Sequence, residues 1–166
     1  MAAIAERAGV SNGLLYQFFR NKEHLFEVVL EEVIRDWVRA MLPRDEATAS
    51  QALEGMFRRS VEFCRTHPLL PALVTRDGAL PVQRIQSASS GRVQAHRDLV
   101  ASLLRRGIEA GEFAADLDVP SVADLICQLQ ADYSSRAYRR DPSYPITPAL
   151  LDAAVRFIRA AVTRST

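Results

Sequence analysis

Apolar residues recur at steps of three and four along most of this chain, and prolines cut the pattern into pieces. Between Glu23 and Leu42 the apolar positions are Phe26, Leu30, Val33, Ile34, Trp37 and Met41. That spacing describes one face of a helix, which Pro43 stops. A second stripe, Leu53, Met56, Phe57, Val61 and Cys64, runs from about Ala47 to Thr66, before Pro68. Val93 to Ala110 repeats the pattern with Val93, Leu99, Val100, Leu103, Leu104 and Ile108, and Gly111 suits a C-terminal cap. After the connector "ADLDVPS", with Asp118 as N-cap and Pro120 in the first turn, come Val122, Leu125, Ile126, Leu129 and Tyr133. Thr147 caps a last helix to about Thr163. A short apolar piece, "LLPALVT", follows the second stripe, and the Ser-, Gly- and Gln-rich stretch from Gly78 to Gly91 reads as a loop or weak helix. No segment alternates as a strand would. The expected fold is all-α, with seven to nine helices.

Several functions are disfavoured by what the chain contains. A formal net charge of +1 rules out a strong whole-molecule field, so any contact with nucleic acid or membrane is local. Cys64 and Cys127 are far apart and lack partners at metal spacing. His24, His67 and His96 lie in three separate segments, without a zinc-binding helix motif or a Gly-rich phosphate loop. Arg105-Arg106 and Arg139-Arg140 read as solvated faces. No catalytic residue, metal site or cofactor is expected, and an enzyme is the disfavoured class. With no signal-peptide pattern and no membrane-spanning apolar run, the expected location is the cytoplasm.

The stretch "AGVSNGLLYQFFRNKEHLF" sets large aromatic residues and the only lysine, Lys22, beside Gly, Ser and Asn. Met1 to Ala8 is Ala-rich and compatible with a helix. Gly9 can take the left-handed conformation that ends it, and Ser11 can cap a second helix running to Phe18 or Phe19. Asn21 can cap a third. Two short helices joined by a tight turn form a helix-turn-helix. Ile4, Ala5 and Ala8 would pack one helix, Val10 would fill the turn, and Leu15, Phe18 and Phe19 would be core. Asn12, Gly13, Tyr16 and Gln17, with Leu14 at the edge, are then left to face a major groove.

The segment "IAERAGVSNGLLYQFFRNKEHLF" resembles the DNA-binding signature of the TetR family of transcriptional regulators. The resemblance rests on Ile4-Ala5, Ala8-Gly9-Val10-Ser11, Gly13, Leu15-Tyr16, Phe19, Lys22-Glu23 and Leu25. It covers about the first sixth of the chain, and "RRGIEAGEFAADLDVPSVADL" is similar to a connector before the family's penultimate helix. It implies a helix-turn-helix region over residues 1–26 and a helical effector-binding and dimerisation domain over 27–166. Tyr16 and Lys22, with the amides opening its helix, would hold phosphates. Asn12 and Gln17 would meet base edges and Leu14 a thymine methyl, with Ser11 and Gly13 beside them.

The resemblance further implies a repressor that binds a palindromic double-stranded operator as a homodimer and is released by a small, largely apolar molecule. One short recognition helix buries little surface, so two copies on a twofold axis are expected. The dimer would form through the last two long helices. Leu150, Leu151, Ala154, Val155, Phe157, Ile158, Ala161 and Val162 spread round more of the final helix than one core-facing stripe needs. The effector chamber would be lined by Trp37, Met41, Phe57, Val61, Cys64, Val100, Leu103, Gln128, Asp132 and Tyr133. Gln128 and Asp132, four apart on one face, would orient a polar group. The family also carries a helix ahead of this motif. The expectation is therefore that the natural product begins upstream of Met1, or that this is a shortened form with a loosened DNA-binding region. The alternative function is a ligand-binding or protein-interaction dimer with impaired DNA binding.

Overall fold

The computed structural model describes residues 1–67, 82–139 and 142–163, with residues 82–93 and 138 as backbone only. The described residues form seven α-helices and no strand. They are α1 (Ala2–Ala8), α2 (Asn12–Phe18), α3 (Lys22–Met41), α4 (Ala49–Thr66), α5 (Val82–Glu109), α6 (Val119–Arg139) and α7 (Pro148–Val162). "LLPALVT" lies outside the described residues. The Ser-, Gly- and Gln-rich stretch belongs to α5 from Val82 onward. None of these helices is long and apolar enough to cross a membrane. The chain divides into two compact units, Met1–Asp36 and Trp37–Thr166.

In the first unit, α1 ends at Gly9, whose φ of 68° is the left-handed turn. Val10 returns its N–H to the Ala5 carbonyl at 3.0 Å. Ser11 then sits in extended backbone, and its Oγ accepts the Leu14 N–H at 3.1 Å to start α2. Asn21 Oδ1 accepts the His24 N–H at 2.8 Å to start α3. Ala5 is buried, as a close helix crossing needs. The aromatic residues depart from the expectation that Leu15, Phe18 and Phe19 are all core. Leu15 and Phe19 are half-buried, whereas Phe18 is 67% exposed. Phe18 is the last residue of a seven-residue helix, and its ring lies tilted against that of Phe19 with centroids 6.4 Å apart.

The second unit is built on α4, which packs against α6, α5 and α7. Met56, Phe57 and Val61 of α4, Val100 and Leu104 of α5, Ile126 and Tyr133 of α6, and Val155 and Ile158 of α7 share one core with Met41. Each fully buried large side chain contributes about 1.5–3 kcal/mol of hydrophobic stabilisation. Thr48 and Thr147 cap α4 and α7 through their hydroxyls. Gly111, at φ 72°, closes α5, and the next amide, of Glu112, reaches the Gly107 carbonyl at 2.8 Å. The Glu112 carboxylate then accepts the Ala49 and Ser50 amides at 3.0 and 2.9 Å, fastening the α5–α6 turn to the first turn of α4. Arg59 donates to the Ala40 and Leu42 carbonyls, both at 3.1 Å, and to Glu46 at 2.6 Å, closing the end of α3. Leu125, one of the apolar residues that α6 carries, is 67% exposed.

Candidate nucleic-acid interface and a buried polar seam

The first unit presents the residues expected to read DNA. Ser11, Asn12, Gly13, Leu14, Tyr16, Gln17 and Lys22 are all exposed, with Leu14 and Tyr16 at 41% and 52%. The Ser11 hydroxyl is engaged in capping α2, so it positions the helix before anything else. A Cβ on Gly13 would meet nothing closer than Ser11 Oγ at 4.0 Å. Packing therefore does not demand glycine there, and its bare backbone faces outward. Lys22 opens α3 at its positive dipole end, an arrangement that favours an anion, while the His24 amide of that turn is capped by Asn21. These groups stand on one short helix and the start of the next, as backbone-phosphate anchors flanking polar base-reading groups would.

In the second unit the expected chamber residues separate into two sets. Met41, Phe57, Val61, Cys64, Val100, Leu103 and Tyr133 meet in the core, with Trp37 packed against it. Gln128 and Asp132 do not join them. Both are exposed, on the face of α6 that also carries Leu125. Asp132 pairs with Arg136 at 3.7 Å, and Arg136 lies over the Tyr133 and Tyr144 rings. The helix repeat gives the reason. A step of two residues turns about 200° round a helix, so Gln128 faces away from the buried Ile126 and Gln130.

Polar groups absent from the expected set occupy the core in their place. Ser60 and Gln130 are fully buried and Ser134 is 5% exposed. Trp37 Nε1 donates to Ser60 Oγ at 3.1 Å, and Ser60 Oγ lies 3.0 Å from Ser134 Oγ. Cys64 also hydrogen-bonds Ser134; burial nevertheless pushes its thiol up to about 11. The His96 ring meets the Trp37 ring edge-on at 5.8 Å. His96 Nε2 lies 3.1 Å from Gln130 Oε1; an amide oxygen only accepts, so His96 donates. Burial holds the His96 imidazole below its ordinary pKa, against the raising effect of the Gln130 bond. Gln130 Nε2, finally, donates to the Met41 thioether Sδ at 2.8 Å. The result is two hydrogen-bonded sets of neutral polar groups from α3, α4, α5 and α6, joined into one seam by the Trp37–His96 ring contact. A signal for it existed in the sequence: Ser60, Gln130 and Ser134 fall in register with buried apolar neighbours, at steps of three and four from Phe57, Cys64, Ile126 and Ala137.

The family profile described as "Bacterial regulatory proteins, tetR family" matches residues 1–29. The HTH-type transcriptional repressor KstR2 of Mycobacterium tuberculosis (strain ATCC 25618 / H37Rv) is 33% identical over 153 residues, spanning 87% of this chain and 72% of that protein. Among solved structures, the ketosteroid transcriptional regulator KstR2 of Mycobacterium tuberculosis superposes with a TM-score of 0.65 at 24% identity, covering 99% of this chain and 84% of that one. A cysteine mutant of the TetR family regulator CifR, complexed with 26 bp double-strand operator DNA, gives 0.70 at 23% identity, over 97% of this chain and 84% of that one. At those identities the two structures speak to the fold.

Proposed function

The chain belongs to the TetR family of bacterial regulatory proteins, and we propose that it acts as a homodimeric repressor in which α2 reads the operator and the core of the second unit takes an effector. The observation that carries the DNA half is the capped α2. A left-handed turn at Gly9 and the Ser11 cap leave Asn12, Gly13, Tyr16 and Gln17 exposed on a helix followed by Lys22. Tyr16 and Lys22 hold phosphates in this reading, and Asn12 and Gln17 meet base edges. Repression rather than activation is supported by the relative at 33% identity, which is named a repressor.

Dimerisation is supported by what α6 and α7 leave uncovered. Ala154, Val155, Ile158 and Val162 of α7 are buried, but Phe157 is 68% exposed and Ala153, Ala160 and Ala161 are exposed beside it. On α6, Leu125 is 67% exposed. Two helices from each subunit close a four-helix bundle, with small residues allowing close approach. Effector binding and operator binding then oppose each other, with equal and reciprocal coupling. The test is selection of bound sequences from a random duplex pool by the purified chain. A palindrome with two half-sites about one helical turn apart is expected. Recovery of no enriched sequence would favour a ligand-binding or protein-interaction dimer instead.

A further inference from the structure

The weakest join in the polar seam is Gln130 to Met41. Gln130 is fully buried, yet one of its amide hydrogens is directed at a thioether, a poor acceptor. A buried amide gains most from an oxygen partner, and leaving a donor poorly satisfied is costly. Met41 is also an adaptable side chain, unbranched and with three rotatable bonds. We propose that Met41 is a displaceable stopper over Gln130, and that the seam is the recognition element for a largely apolar ligand carrying a neutral carbonyl or hydroxyl oxygen. This rests on the reading of the second unit as an effector domain and names the chemical class that domain takes.

The ligand oxygen takes the place of Met41 Sδ and accepts from Gln130 Nε2. The Trp37 indole N–H and the Ser60 and Ser134 hydroxyls already pair with one another along the seam, so Gln130 Nε2 is the donor that meets the ligand. The seam's groups are an indole, hydroxyls, an amide, a thiol and a neutral imidazole. None supplies a formal cation to a carboxylate or phosphate, and an anion brought in without one meets the full cost of desolvation. The apolar part of the ligand lies against Phe57, Val61 and Tyr133, which share the core with Met41. Met41 and Trp37 stand one turn apart on α3, so entry of the oxygen moves side chains of that helix directly.

The experiment titrates the intact chain with methyl octyl ketone, decanol and decanoate, reading the fluorescence of Trp37, its one tryptophan, and the heat of binding. Ketone and alcohol are expected to bind saturably, with decanoate about tenfold weaker or more. Gln130→Leu is expected to lower ketone affinity about tenfold; it also leaves the His96 donor without its acceptor, so its thermal midpoint is expected to fall and binding is read below that midpoint. Met41→Leu removes the thioether partner, leaves the Gln130 donor free, and is expected to bind ketone at least as tightly as the parent. Equal or tighter binding of decanoate, ketone affinity unchanged by Gln130→Leu, or no saturable binding of ketone or alcohol would overturn the proposal. The same titration in the presence of selected operator DNA separates the two readings. Gln130-dependent binding that leaves DNA bound supports the seam as a ligand site and refutes its role in release.

Discussion

The ring of Phe113 lies directly over the Cα of Gly107, so that a Cβ built on Gly107 would fall 2.1 Å from the ring. Phe113 is itself buried in the core, and the backbone ties the two together, Phe113 N–H reaching the Gly107 carbonyl at 3.1 Å. Glycine inside α5 is thus required by packing, although it weakens the helix. Gly107→Ala is expected to destabilise the chain by about 1–3 kcal/mol through overpacking, despite alanine's better helix propensity. Adding Phe113→Leu to Gly107→Ala is expected to recover part of that loss, and a double-mutant cycle by urea unfolding measures the coupling.

Glu112 acts as a borrowed cap for α4. Glu112→Ala removes the acceptor for the Ala49 and Ser50 amides and is expected to cost about 1–2 kcal/mol. Burial by itself raises the Glu112 carboxyl, but the Ser50 and Ala49 amides, Arg106 and Thr48 together hold it below the ordinary 4.5. A depressed carboxylate contributes stability that is present above its unfolded pKa and lost as pH falls through the lowered folded value. Glu112→Ala is therefore expected to differ most from the parent at neutral pH, and least in acid. Thermal melts from neutral pH downward check the convergence.

The DNA assignments separate by what each substitution leaves intact. Gly13→Ala finds open space and is expected to fold at least as stably as the parent, because alanine favours a helix. If the bare backbone approaches DNA closely, the same variant loses operator affinity. Tyr16→Phe and Lys22→Ala are expected to weaken binding to all sequences alike. Lys22→Ala also reduces the salt slope by about one phosphate contact per subunit. Gln17→Ala is expected to alter base preference at one position per half-site by about 1–3 kcal/mol. Fluorescence anisotropy across a salt series distinguishes these; an unchanged slope for Lys22→Ala would remove that residue from the interface.

His96 links the core to pH. Its imidazole is held below the ordinary 6.5 by burial, so the unfolded chain takes up the proton first as pH falls. The stability it contributes is complete above about 6.5 and lost as pH falls through the lowered folded value. His96→Gln can keep an amide donor toward Gln130 and does not titrate. The expected result is a flatter stability profile for the variant than for the parent between about pH 7 and pH 5. Parallel profiles would mean that His96 does not change its protonation on unfolding.

Punctuation and periodicity make most of the helices legible in the sequence, the start of α5 at Val82 excepted. Gly9, Ser11, Asn21, Gly111, Asp118 and Thr147 each end or start an element where their chemistry suggests. The core residues of α4 followed from local spacing in the same way. The polar side of the candidate site did not. Gln128 and Asp132 drew attention as a polar pair four apart, but a pair shares a face without revealing which face is buried. Only the phase relative to Ile126, Gln130 and Ala137 decides that, and it places Gln130 inside. Phe18 shows the complementary limit, since apolar character at the end of a short helix does not ensure a partner to cover it.

Cys64 and Cys127 sit on α4 and α6, buried in the core of the second unit, with both thiols pushed up to about 11. A thiol reacts as its thiolate, so in the closed protein each is shielded twice, by sterics and by its proton. Covalent capture at mildly alkaline pH then waits on transient separation of these helices. Rates of alkylation at the two sites, resolved by mass spectrometry, time the breathing of each helix in the native ensemble. A ligand held in the seam beside Cys64 would register as a slowing of that clock.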